Sequence, residues 1–116
     1  MTKNVIKDKS FRFAVQIVNL YKELIKKNEF ILSKQLLRSG TSIGANVREA
    51  QNAQSNADFI HKLSISQKET DESLYWLELL KETNYISEQE FNSMHKECSE
   101  LLKIIKSIII TTKKKL

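Results

Sequence analysis

The stretch Leu37-Arg38-Ser39-Gly40-Thr41-Ser42-Ile43-Gly44-Ala45-Asn46-Val47-Arg48-Glu49-Ala50 holds both glycines of a chain that has no proline. Its small and hydroxylated residues invite a loop, but their spacing argues for a helix. Leu36, Gly40, Ile43, Val47, Ala50 and Ala57 recur at intervals of three, four or seven, which is one face of an α-helix. Ser39, Ser42, Asn46 and Glu49 follow the same period on the adjacent face. A glycine inside a helix costs about 1 kcal/mol relative to alanine. The offsetting gain expected is the close approach of another helix, so Gly40 and Gly44 are predicted to lie in a tight helix–helix contact.

With so few turn-forming residues, long helices are the natural outcome. The first is predicted over about 10–27 with Ser10 as N-cap. Phe11, Ala14, Val18, Tyr21 and Ile25 form one apolar stripe, and Phe13, Ile17, Leu20 and Leu24 form a second beside it. The second helix is predicted over about 33–54 and the third over about 58–82, with Ser55 or Asn56 as the third helix's cap. On the third, Phe59, Leu63, Ser66, Thr70, Leu74 and Leu77 form a seam whose hydroxyls are expected to face Gly40 and Gly44. Ser87-Glu88-Gln89-Glu90 is a capping box opening the fourth helix. That helix carries the heptad Phe91, Met94, Cys98, Leu101, Ile105, Ile108, Thr112. Short connections between four helices predict an all-α, antiparallel up-down-up-down four-helix bundle, one domain with its core over about 10–112.

Lys and Arg number 19 against 14 Asp and Glu, a formal net charge of +5. That excess permits contact with a polyanion without requiring it. Cys98 is the single cysteine, which leaves no intramolecular disulfide and no cysteine-cluster metal site. The first residues lack the apolar run of a signal peptide, and the stretch around Ile108-Ile109-Ile110 is too short to span a bilayer. A cytoplasmic protein without a membrane partner is expected.

Ser39, Ser42 and Cys98 are nucleophiles by residue type only, and no motif surrounds His61 or His95. Asp58-x-x-His61 and Glu69-x-x-Glu72 occur, but no helix carries the Glu-x-x-His of di-iron bundles. Gly40–Gly44 is no phosphate loop, because no strand precedes it. No enzyme, metal or cofactor is expected. Arg38, Asn46, Glu49, Glu69 and Glu72 read as structural polar or ion-pairing residues, with Arg38–Glu69 or Arg48–Glu72 as the expected pairs. Leu102, Ile104, Ile109 and Ile110 lie outside the fourth helix's heptad, and Trp76 and Leu79 lie beside carboxylates. This apolar surplus marks them as candidate oligomer-interface residues. Arg48, Lys62, Lys68, Lys103 and Lys106 are the candidate nucleic-acid contacts. No aromatic residue is interleaved with them in the sequence, so no preference for single strands is expected.

The run Leu37–Ala50, then Asp58-Phe59-Ile60-His61-Lys62-Leu63, Lys68-Glu69 and Tyr75-Trp76-Leu77-Glu78-Leu79-Leu80, resembles a known family. It is that of the bacterial four-helix bundle proteins encoded within intervening sequences of the large-subunit ribosomal RNA gene. This family is similar to the accessory variability proteins of diversity-generating retroelements. The resemblance implies an antiparallel four-helix bundle, a homopentameric ring and no enzymatic activity. The retroelement relatives bind nucleic acid and a reverse transcriptase through a basic surface. The function expected is therefore a non-enzymatic oligomeric scaffold or binding module. The alternative is a nucleic-acid-binding accessory protein with a reverse transcriptase as partner.

Overall fold

The computed structural model describes residues 4–116 and contains four helices, α1 (Val5–Lys26), α2 (Leu32–Ala50), α3 (Asn56–Glu82) and α4 (Glu88–Lys113). Each packs on its chain neighbours, and α4 returns to α1 through the thinnest of the four seams. The described residues hold no strand, and the antiparallel bundle measures 47 × 25 × 21 Å. Its fully buried centre draws on all four helices: Phe13, Ile17 and Leu24; Leu36, Ile43 and Val47; Leu63 and Leu77; Leu101 and Ile105.

The helix ends show where local chemistry and core packing compete. Helix α1 starts earlier than expected. Asn4 is its N-cap, accepting from the Lys7 amide at 3.1 Å, whereas Ser10 is buried inside the helix and donates to the Lys7 carbonyl. Ile6 explains the extension: it continues the buried stripe of Phe13 and Ile17 past the charged run Lys7-Asp8-Lys9. Helix α2 stops at Ala50, short of Gln54, and Ala57 stands exposed in the first turn of α3 rather than on the α2 seam. Ser55 caps α3, accepting from the Asp58 amide at 3.0 Å. The capping box of α4 forms in both directions, Glu90 amide to Ser87 Oγ at 3.0 Å and Ser87 amide to Glu90 Oε1 at 2.9 Å.

Glu29 supplies a cap that the sequence pattern hides. Its carboxylate accepts from the amides of Ile31, Leu32 and Ser33, the free donors at the start of α2. Burial pushes this carboxyl up, but the amides of Ser33, Leu32 and Ile31 outweigh it and hold Glu29 below the usual carboxylate range.

Two core assignments change. On α4 the buried position after Ile105 is Ile109, while Ile108 is only partly buried. A straight helix drifts against a strict heptad, and one step of four in place of three keeps the stripe on the core. Ile109 is thus a core residue, not an interface residue. Gly40 and Gly44 face α1, not the hydroxyls of α3. A methyl on Gly40 would lie 2.7 Å from Cγ1 of Ile17, and one on Gly44 would lie 3.2 Å from the Ser10 carbonyl oxygen. The close approach is real, with α1 as the partner.

Candidate functional site

Helix α2 presents a different polar arrangement on each flank. Toward α3, Arg38 reaches between two carboxylates. Its Nη1 donates to Glu69 Oε2 at 2.9 Å and its Nη2 donates to Glu72. Trp76 Nε1, one turn on from Glu72, donates to the same Glu72 oxygen at 3.0 Å. Tyr75 meets the Trp76 ring edge-on, with centroids 5.0 Å apart. The expected Arg38–Glu69 pair therefore forms and is extended to Glu72 and Trp76.

Arg38 and Glu72 hold each other ionised. Glu69 first, then Glu72, raises the Arg38 pKa against a smaller burial effect. The indole N–H of Trp76 lowers Glu72 most, burial opposes it, and Arg38 adds to the lowering. Beneath the ion pairs runs a hydroxyl seam. Ser39 and Ser73 share a hydrogen bond at 2.9 Å, and Ser66 donates to the Ile43 carbonyl across the helices at 2.8 Å. Thr70 donates within its own helix, to the Ser66 carbonyl.

The other polar residues separate. Asn46 donates to the Ser42 carbonyl on α2 and makes no ion pair. Glu49 pairs with Lys62 at 2.8 Å, and this raises the lysine pKa. The alternative Arg48–Glu72 pair does not form, because Arg48 lies on the opposite flank. Its guanidinium sits 5.7 Å from the centroid of Phe11 on α1. Lys7, Ala14, Gly44 and Ala45 line the same groove, and Arg12 borders it. Phe11, Lys7 and Arg12 were not foreseen as site residues. Their spacing on one turn of α1 was visible, but the α2 residue that completes the group is known only from the fold.

The five candidate nucleic-acid residues are spread over three helices, Arg48 on α2, Lys62 and Lys68 on α3, and Lys103 and Lys106 on α4. Lys62 is engaged with Glu49, while Arg48, Lys68, Lys103 and Lys106 are exposed and, among the described residues, in no ion pair. Of the candidate interface residues, Trp76 and Ile104 pack against the core, Leu79 and Leu102 are partly buried, and Ile110 is 57% exposed.

Over residues 2–107 the chain matches the family model for the 23S rRNA-intervening sequence protein. It is also similar to a protein with unknown function from the S23 ribosomal protein family of Bacteroides thetaiotaomicron, whose crystal structure was solved at 1.70 Å resolution. The two are 57% identical with a TM-score of 0.89, over 90% of this chain and 97% of that one. A search of curated proteins returned no match. The family model takes in α1 to α3 and most of α4, and the solved relative shares their arrangement. The chain belongs to the 23S rRNA-intervening sequence protein family.

Proposed function

We propose that this protein is a non-enzymatic binding module that works as a homo-oligomer, five subunits in a ring as its resemblance implies. The observation that carries the reading is where large apolar side chains remain exposed. Phe30 and Ile31, in the α1–α2 connection, are 56% and 75% exposed. Val15 on α1, Tyr75 on α3 and Ile110 on α4 are also exposed. Isolated exposed apolar residues are ordinary. Here they include an adjacent pair and lie on several sides of the bundle. A head-to-tail ring uses two unlike patches per subunit, which suits that distribution.

The environments of the nucleophile and base candidates support a non-enzymatic reading. Cys98 is fully buried, and burial first, then Asp71, pushes its thiol up to about 12. His95 stacks on Phe91 and contacts Ser99 Oγ at 3.4 Å, and no carboxylate hydrogen-bonds to its ring. Light scattering tests the assembly. A mass five times the 13.5 kDa of one chain is expected, and Ile31→Asp combined with Val15→Asp should lower it. A single-chain mass across the micromolar range overturns the reading.

A second reading, a nucleic-acid-binding accessory protein working with a reverse transcriptase, draws on the exposed, unpaired Arg48, Lys68, Lys103 and Lys106. A ring would repeat these charges around its axis and raise affinity for a long polyanion. Binding to a labelled RNA should fall steeply with salt as counterions are released. Binding that ignores salt overturns it.

A further inference from the structure

Phe11 is 55% exposed on a helix whose inward face is already filled by Ile6, Phe13 and Ile17. Three cations surround it: Lys7 one turn before, Arg12 beside it in the chain, and Arg48 across the groove, 5.7 Å from the ring centroid. None of the three is in an ion pair among the described residues. Of the two carboxylates at the groove, Glu49 is held by Lys62, which leaves Asp8. Small and neutral residues complete the groove: Ala14, Thr41, Gly44, Ala45 and Asn52. The ring is therefore half exposed inside a positively charged rim.

We propose that this α1–α2 groove binds single-stranded nucleic acid, one base stacking on Phe11 while Lys7, Arg12 and Arg48 hold the flanking phosphates. The proposal rests on the nucleic-acid reading above but assigns it to a site and a strand state, replacing the expectation of no single-strand preference because the fold brings Phe11 to Arg48. Charge complementarity selects the occupant. A second copy in an isologous contact would set the cationic rim against itself. Duplex nucleic acid offers phosphates to the rim but keeps its bases stacked inside, so the ring would gain nothing. A single strand alternates planar faces with phosphates, as the groove alternates ring and cations. Stacking on aromatic rings and on arginine planes is how such strands are gripped without base readout. The Arg48 guanidinium lies over one side of the Phe11 ring, 5.7 Å from its centroid, so a base would stack on the ring's free face with Arg48 beside the flanking phosphate.

The test uses the full chain and fluorescence anisotropy with a labelled oligo-uridine and a labelled duplex of equal length at low salt. The single strand should bind at least about tenfold more tightly, and Phe11→Ala should weaken it by about tenfold or more. Phe11 is exposed, so Phe11→Ala should keep the fold, and circular dichroism checks that. Phe11→Trp should retain binding and add fluorescence quenched by the strand, above the background of the single native Trp76. Arg48→Gln should reduce the salt slope by about one. Equal affinity for the duplex, or a folded Phe11→Ala that binds as before, overturns the proposal. So does an acidic peptide that competes with the same dependence on Phe11. If Phe11→Ala binds normally while removing the charges of Lys68, Lys103 and Lys106 abolishes binding, only this site fails. If no nucleic acid binds at any salt, the broader reading fails with it.

Discussion

Helix α2 makes two close contacts, one by removing side chains and one by hydrogen-bonding them. Against α1, Gly40 and Gly44 leave room for Ile17 and for the backbone at Ser10. Against α3, Ser39, Ser66 and Ser73 bridge the helices through hydroxyls. Both contacts use small residues, and a sequence pattern records only the smallness. They should nevertheless fail differently. The glycine contact is steric and has no tolerance for volume. The hydroxyl contact loses one modest bond at a time, and most of its oxygens keep a second partner within their own helix.

The largest effect is expected where volume enters the glycine contact. Gly40→Leu should cost about 2–3 kcal/mol or more, because Ile17 is fully buried and cannot yield without disturbing Phe13 and Leu24. Urea unfolding measures it, and an unchanged midpoint with an unchanged slope would remove the steric account. The two alanine variants sharpen the point. Each gains up to about 1 kcal/mol of helix propensity. At Gly40 the 2.7 Å approach to Ile17 should more than cancel that gain, whereas at Gly44, with 3.2 Å to the nearest atom, the two effects should roughly balance.

Next comes the cap that opens α2. Glu29→Ala leaves the amides of Ile31, Leu32 and Ser33 without their acceptor and should cost about 1–2 kcal/mol. The pH dependence follows from the direction of the shift. The folded-state pKa lies below the unfolded one, so the stabilisation is complete above the unfolded value and lost as pH falls through the folded value. Thermal melts between about pH 5 and pH 3 should show the wild type losing more stability than Glu29→Gln. Parallel losses in the two proteins would show that this carboxylate is not the group responsible.

The hydroxyl contact should give less. Ser66→Ala removes the bond to the Ile43 carbonyl and should cost about 1 kcal/mol. Ser39→Ala should cost less again, since Ser73 keeps its bond to the Glu69 carbonyl. If Ser66→Ala instead matched Gly40→Leu in a denaturant titration, the contrast between the two seams would be lost.

These contrasts also explain what could be read from the sequence. Four helices, their antiparallel order, the capping box of α4 and the Arg38–Glu69 pair follow from period and local chemistry, which the chain displays directly. Which helix Gly40 faces does not, because a small residue suits any close neighbour and the α1 partner is chosen by Ile17 and Ser10 together. Glu29 is hidden because it lies four residues before the expected start at Ser33 and two before the observed N-cap, Ile31. Ile109 falls outside the heptad and so reads as an interface residue, because a straight helix drifts off a strict seven-residue repeat and brings it to the core. The Phe11 groove was missed for a stronger reason: its aromatic ring and Arg48 are 37 positions apart in the sequence and meet only through the α1–α2 packing.

The smallest effect is expected at the surface above the hydroxyl seam. Arg38 is about half exposed, so its bonds to Glu69 and Glu72 are screened by solvent, and Arg38→Ala should cost about 0–1 kcal/mol despite the two partners. The consequence should appear in charge rather than in stability. Removing Arg38 leaves Glu69 and Glu72 as neighbouring anions one turn apart, with Trp76 the remaining donor to Glu72. Without the cation, the lowering of the Glu72 pKa should shrink, so Glu72 should titrate at a higher pH in Arg38→Ala than in the wild type. Carboxyl NMR titration of the two proteins reads this directly. A Glu72 that titrates identically in both would mean that Trp76 alone sets its ionisation, and the cluster would then reduce to a bond within α3.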